Sequence, residues 1–183
     1  MTVSQIDSVA ALVVIDMQKG IVALPTAHPI GPIVDKVAQL TRAWRARGLP
    51  VVLVNVAGGV PGRTERRYSF TPAADWAELI PELDVQPTDI LVTKRQIGAF
   101  HTTGLQALLQ AAGVTQVVLA GVATSSGVEA TARGAYDRGY NVALVADAMT
   151  DLDAEAHDNS VARIFPKIGE VGTTDAVLAL LKA

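Results

Sequence analysis

Three places in this chain carry groups fit for proton chemistry on a small molecule. Asp16 closes the apolar run Ala10–Ile15, Lys94 closes a run that begins at Ile90, and a turn at Gly121–Gly127 follows the run Gln116–Gly121. Asn55 sits near the end of a further run, Val51–Val56. These runs are aliphatic and β-branched with little alternation, the pattern of strands covered on both faces. In a doubly wound sheet, ligands bind beyond the carboxyl ends of the strands, so Asp16, Asn55, Lys94 and the turn are expected to converge on one crevice. A carboxylate placed there loses hydration, which raises its pKa, while a neighbouring ammonium lowers it. Such a pair holds or delivers a proton near neutral pH. The same pair also serves as a plain ion pair that fixes two loops, and position alone does not separate the two readings.

The stretch QVVLAGVATSSGVEATARGAYDRG, residues 116–139, organises the rest. It reads as a buried strand, a turn and a helix reaching about Arg138. Ser126 and Glu129 have the spacing of a capping box, and Gly139 stands where a left-handed helix stop is usual. On that reading the N–H groups of Ser126, Gly127 and Val128 point unpaired from the helix start and can hold an anion or oxyanion. A cysteine or serine nucleophile would be well placed there, but the position is Gly127, and the chain contains no cysteine.

Further elements must position these groups. The spacing of Ile33, Val37, Leu40 and Trp44 predicts a helix over 32–47. Residues 17–29 read as a loop, 75–80 as a short helix, and 103–112 as a helix. A fifth strand is predicted over 142–146, a helix capped by Asp153 over 153–165, a short edge strand over 167–171 and a last helix over 173–181. The joint of helix, glycine, short turn and strand recurs in ARGLPVVLVNV, QAAGVTQVVLAGV and DRGYNVALVADA, which indicates a parallel sheet wound with helices. The fold class expected is a three-layer α/β/α sheet of six mainly parallel strands, built as one domain over 1–183. Residues 57–72, rich in Gly, Pro and Arg, form a long loop of a length that is usually functional or mobile, and its arginines, Arg67 among them, either clamp a carboxylate or are simply solvated.

Composition narrows the partners. Hydrophobic residues make up 50% of the 183 and charged ones 18%, which favours a broad buried sheet or a subunit interface. A homodimer or higher homo-oligomer is expected, with the loop 57–72 and the small residues Gly127, Ala130, Thr131 and Gly134 as candidate contacts. The net charge of −3 argues against nucleic acid. No apolar stretch is long enough to span a membrane, and the N-terminus has no leader pattern, so a cytoplasmic protein is expected. His28, His101 and His157 are too far apart for metal-ligand spacing, and His157 reads as a surface or packing residue. No G-x-G-x-x-G follows the first strand and no P-loop occurs, so neither nucleotide nor other cofactor is expected.

Taken together, ALVVIDMQKG, TKRQIGAF, GVATSSGVEATARGAYDRGYNV and DAMTDLDAEAHDNSV resemble the isochorismatase-like hydrolase superfamily, the cysteine hydrolase fold that includes nicotinamidases and carbamoylsarcosine amidases. The resemblance implies strand order 3-2-1-4-5-6 and a triad of Asp, Lys and Cys. The first two map onto Asp16 and Lys94, and the third onto Gly127. True isochorismatases also have glycine there and hydrolyse a vinyl ether with the Asp as proton donor; GVATSSGVE with KRQIGAF looks most like a group of bacterial members that share this glycine. The same resemblance places a non-proline cis peptide at Val122–Ala123. It also implies that Gln18, Asn55, Arg67, Phe100, Val122, Ala123 and Ser126 line a substrate site. The D-x-H of the zinc-binding nicotinamidases is replaced by Asn55-Val56-Ala57, so no metal is expected. The function implied is hydrolysis of a small carboxylated or amide-like molecule without a thiol, Gly127 leaving room for a substrate group. The alternatives are an amidase using water or serine, and a binding protein without catalysis.

Overall fold

The structure is a computed structural model that describes residues 2–65 and 72–182. Its six strands are β1 (Ala10–Ile15), β2 (Val51–Val56), β3 (Ile90–Lys94), β4 (Gln116–Val122), β5 (Asn141–Thr150) and β6 (Glu170–Gly172). They form one parallel sheet in the order β3-β2-β1-β4-β5-β6.

Neighbouring residues of one strand enter different cores, which is why the runs show no polar alternation. Leu12, Val14, Val118 and Ala120 pack with Ile33, Val37, Leu40 and Trp44 of α2 (Ile30–Ala46) and with Val177 and Leu181 of α6 (Thr174–Lys182). Val13, Ile15, Val117 and Leu119 face the opposite core. There they meet Leu105 and Leu109 of α3 (Leu105–Ala111), Ala132 and Ala135 of α4 (Glu129–Tyr136), and Phe165. The indole N–H of Trp44 donates to the Ala10 carbonyl at 2.9 Å, tying α2 to the start of β1. No helix is long and apolar enough among the described residues to cross a membrane.

Several elements differ from the sequence reading. The loop after β1 contains a short helix, α1 (Lys19–Val22). Residues 75–80 form a turn and an extended bridge instead of a helix, because neighbouring backbone claims their polar groups. Lys19 and Gly20 donate to the carbonyls of Glu78 and Trp76, and Ile80 donates to Met17. The fifth strand runs on to Thr150 through a register shift opposite Leu119–Gly121. At the shift, the Asp147 carboxylate accepts from the Thr174 N–H at 2.7 Å and caps α6. The helix after Asp153 is short, α5 (Ala154–Asn159), and continues as a π-helical turn and a 3-10 turn, Phe165–Lys167. Phe165 accepts from the N–H of Ile168 and Gly169, so β6 starts only at Glu170. Asp153 caps α5 as expected, accepting from Glu155 and Ala156.

Candidate active site

The parallel register sets the centre of the site. Ile15 pairs with Val54 and Val56 with Lys94, so Asp16 and Lys94 stand at nearly the same height with β2 between them. Two strand spacings amount to about 10 Å, a gap that only a long side chain closes. Lys94 closes it, its Nζ donating to Asp16 Oδ2 at 2.7 Å. Both residues are buried, 5% and 3% exposed. Asp16 takes a left-handed backbone conformation, φ 50°, as the chain leaves β1. Its other oxygen, Oδ1, is buried without a hydrogen-bond partner among the described residues. Burial pushes the Asp16 carboxyl up to about 6, and the charge and hydrogen bond of Lys94 offset only part of that.

Gly127 completes the centre from β4. The strand ends in a cis peptide at Val122–Ala123, the place the resemblance gave, and enters a π-helical turn, Thr124–Val128, before α4. Gly127 is buried against the pair. A Cβ on it would lie 2.9 Å from Ile15 Cγ2, 3.3 Å from Asp16 Oδ2 and 3.7 Å from the Ile97 carbonyl oxygen. The space is therefore already filled by Ile15 and the carboxylate, and no room for a substrate group opens along that direction. At Gly121 a Cβ would sit 2.1 Å from the Ile15 carbonyl oxygen, so only glycine lets β4 lie this close to the end of β1.

The capping box is absent. Ser126 is exposed and makes no side-chain cap, while Glu129 turns to Ser160 Oγ at 2.6 Å and to Arg133. The N–H groups of Ser126 and Val128 both donate to the Ala123 carbonyl, at 3.1 Å each, so they do not point outward. The reason is the π-helical turn, which begins two residues before the predicted start and folds those donors back on the chain. The turn is instead gripped from β5 and α5. Asp151 Oδ2 accepts the Ser125 N–H at 2.6 Å, and Thr124 Oγ1 lies 2.8 Å from His157 Nδ1. His157 is buried and meets His28 edge to face, ring centroids 4.7 Å apart. Burial first, then the charge of His28, lowers the His157 pKa. Sequence reasoning missed Asp151 as an anchor, since an Asp after a strand reads equally as a turn residue.

The other expected substrate contacts are scattered. The amide of Gln18 is fully engaged, donating to the carbonyls of Val56 and Trp76 and accepting from the Val56 N–H. Asn55 donates to the Ala77 carbonyl and accepts from Thr93. Phe100 packs away from the pair, against Gly134, Tyr140 and the Arg138 guanidinium. Val122 and Ala123 border the Gly127 turn, and Arg67 lies outside the described residues. The small residues expected at a subunit contact are used within the chain: Gly127 and Thr131 are buried, and Ala130 and Gly134 pack on Gly98 and Phe100. Among the described residues, no group of three or more His, Cys, Asp or Glu is placed to hold a metal ion. Two open grooves lie elsewhere. One of about 350 Å³ borders Asp7, Tyr140 and Lys167 at the amino ends of the strands, and one borders Asp35 and Arg42 on α2.

A parallel sheet wound on both faces, with an acid and an ammonium buried together at its carboxyl rim, places the chain among the doubly wound α/β proteins whose chemistry sits at that rim. Residues 10–176 match the model of the isochorismatase domain, and the chain belongs to the isochorismatase family of hydrolases. It is 39% identical over 180 residues to the isochorismatase family protein YwoC of Bacillus subtilis, covering 94% of each chain. The structure of an isochorismatase family protein from Burkholderia thailandensis superposes with a TM-score of 0.93 at 41% identity, covering 98% of each chain. The N-carbamoylsarcosine amidase of Thermoplasma acidophilum superposes with a TM-score of 0.76 at 29% identity, covering 91% of this chain and 97% of that one.

Proposed function

We propose that the protein is a thiol-free hydrolase of a small carboxylated or amide-like metabolite, with Asp16 as its general acid and base and Lys94 as the group that tunes Asp16 and draws an anionic substrate. The observation that carries this reading is the buried Asp16–Lys94 pair with Asp16 Oδ1 left unpartnered. A purely structural ion pair gains by satisfying every acceptor, whereas a buried oxygen that the chain leaves unpaired is open to a partner from outside the chain, a ligand or a water. An acid of pKa about 6 is placed for proton transfer at neutral pH.

For a vinyl ether, Asp16 delivers its proton to the terminal alkene carbon, and the ether oxygen stabilises the resulting cation. Water adds to that cation and returns a proton to the Asp16 carboxylate. The hemiketal then breaks to a carbonyl compound and an alcohol, so no covalent enzyme intermediate and no sulfur are needed. The likeness to the N-carbamoylsarcosine amidase supports a second substrate class, an amide attacked by water that Asp16 deprotonates. Turnover of isochorismate, nicotinamide and N-carbamoylsarcosine by the purified protein separates the two. Asp16→Asn is expected to lower kcat by roughly 10²–10⁴-fold on whichever class is turned over. Binding in a thermal-shift screen with no turnover of any compound would refute the hydrolytic role and leave a binding protein.

A further inference from the structure

The segment that follows Lys94 is seated along α4 by a seam of close contacts. The Ile97 carbonyl oxygen lies over Gly127, and Gly98 lies against Ala130, where an added Cβ would come within 3.2 Å of the Ala130 carbonyl. Two residues on, the Phe100 ring rests on Gly134, 3.1 Å from where a Cβ would stand. Gly127, Ala130, Thr131 and Gly134 share one helical face, the spacing of positions i, i+3, i+4 and i+7. A side chain at Gly98 or Gly134 would press on the Ala130 carbonyl or the Phe100 ring and lift the segment away.

Thr131 supplies the hydrogen bonds of this seam. It is fully buried, and its Oγ1 uses both capacities of a hydroxyl. It donates to the Gly127 carbonyl at 2.6 Å and accepts the Ala99 N–H at 3.1 Å. One atom thus joins the turn carrying Gly127 to the segment leaving Lys94. The turn closes on the Asp16 carboxylate, whose Oδ2 would lie 3.3 Å from a Cβ on Gly127. The segment closes on the turn, the Ile97 carbonyl oxygen lying 3.7 Å from the same point. We propose that Thr131 is a positioning residue, whose hydroxyl holds the 95–100 segment down on Gly127 and so keeps water from the Asp16–Lys94 pair. The Thr131 hydroxyl bonds to the backbone of Gly127 and Ala99 and acts through the two segments it joins. The inference rests on the reading of Asp16 as a desolvated acid, and its test follows a titration instead of turnover.

The experiment follows the ¹³C resonance of the Asp16 carboxyl against pH in the full chain and in two variants, with thermal unfolding measured alongside. Lys94 is the charged group that acts on Asp16, and it is unchanged in every variant. The wild-type midpoint is expected near 6. Thr131→Val keeps the shape but removes the hydroxyl, and is expected to lower the midpoint by about one unit as water reaches the carboxylate. Thr131→Ser restores the hydroxyl and is expected to restore the midpoint. An unchanged midpoint in Thr131→Val with a lowered unfolding temperature would overturn the proposal, since the residue would then serve stability alone. Should Thr131→Val fail to fold, Gly98→Ala loosens the same seam by pressing on Ala130. Its midpoint falls if the seam excludes water, and stays near 6 if the proposal is wrong. A wild-type midpoint near 4 would overturn both this inference and the reading of Asp16 as the acid.

Discussion

Replacing Gly127 with alanine tests whether this site was built without a thiol or has merely lost one. The added Cβ would stand 2.9 Å from Ile15 Cγ2 and 3.3 Å from Asp16 Oδ2, so Ile15 must retreat by several tenths of an ångström. Ile15 has little freedom to do so. It is fully buried, it pairs with Val54 on one side, and Gly121 is pressed against its backbone on the other. Overpacking of this kind costs about 1–3 kcal/mol. Removing a glycine from the unfolded chain returns up to about 1 kcal/mol, so a net loss of about 1–2 kcal/mol is expected. Urea denaturation of the two proteins measures it directly, and for a chain of this size each kcal/mol also lowers Tm by roughly 2–4 °C. Ile15→Leu moves the branch off Cβ, and the double variant should recover part of the loss. Gly127→Cys carries the same Cβ and should gain no amidase activity. A Gly127→Ala protein more stable than wild type would refute the reasoning, because the position would then be an open slot waiting for a side chain. Amidase activity in Gly127→Cys alone would do the same for the thiol-free reading.

Asp16 has a folded pKa above its unfolded value, about 6 against 3.8, so the native state holds its proton more tightly. Its contribution is therefore most favourable below pH 3.8 and is lost as pH rises to 6, by about 3 kcal/mol in all. Asp16→Asn should remove that downward slope from urea-derived stabilities between pH 4 and 7; an unchanged slope would show that Asp16 titrates normally. Lys94→Met removes the favourable charge and leaves the burial, so the Asp16 midpoint should rise above 6 by NMR titration, and a fall would show that burial is not the dominant cause. His157 has a lowered pKa, so its contribution is present above 6.5 and is lost as pH falls below that value; His157→Gln should flatten this acid limb. We also propose self-association: Val60, Leu91 and Ile97 are exposed apolar residues, 57–60% accessible, and sedimentation should give a species larger than 19.1 kDa at micromolar concentration.

The strands β1 and β2 could be read to the residue because each is an apolar run, interrupted in β2 by Asn55 alone, that ends at a polar group or a glycine-rich loop. Parallel pairing then followed from the repeated helix-to-strand joints, and with it the meeting of Asp16 and Lys94. What the sequence did not convey depends on backbone detail. Ser126 and Glu129 have capping-box spacing, but the π-helical turn rotates both out of register, and spacing alone carries no sign of such a turn. Residues 75–80 have local helical character that loses to backbone hydrogen bonds from the chain after β1. The small residues of α4 signalled close approach correctly but not its partner, which is the chain's own segment 97–100. Whether Gly127 faces space or a methyl group is a matter of tenths of an ångström, beyond anything a residue pattern encodes.

The outer position of β3 has a consequence for how the protein opens. Among the described residues it pairs with β2 alone, and strands with one neighbour fray before the centre of a sheet does. Yet its last residue carries the ammonium that the central carboxylate depends on. Peeling β3 away means drawing Lys94 out of a buried contact and leaving a charge on Asp16 without its counter-ion. The carboxyl end of β3 is thus pinned to the middle of the sheet across an intervening strand. Its amides should exchange with deuterium more slowly than those at its amino end, and the contrast should fade once acid has neutralised Asp16.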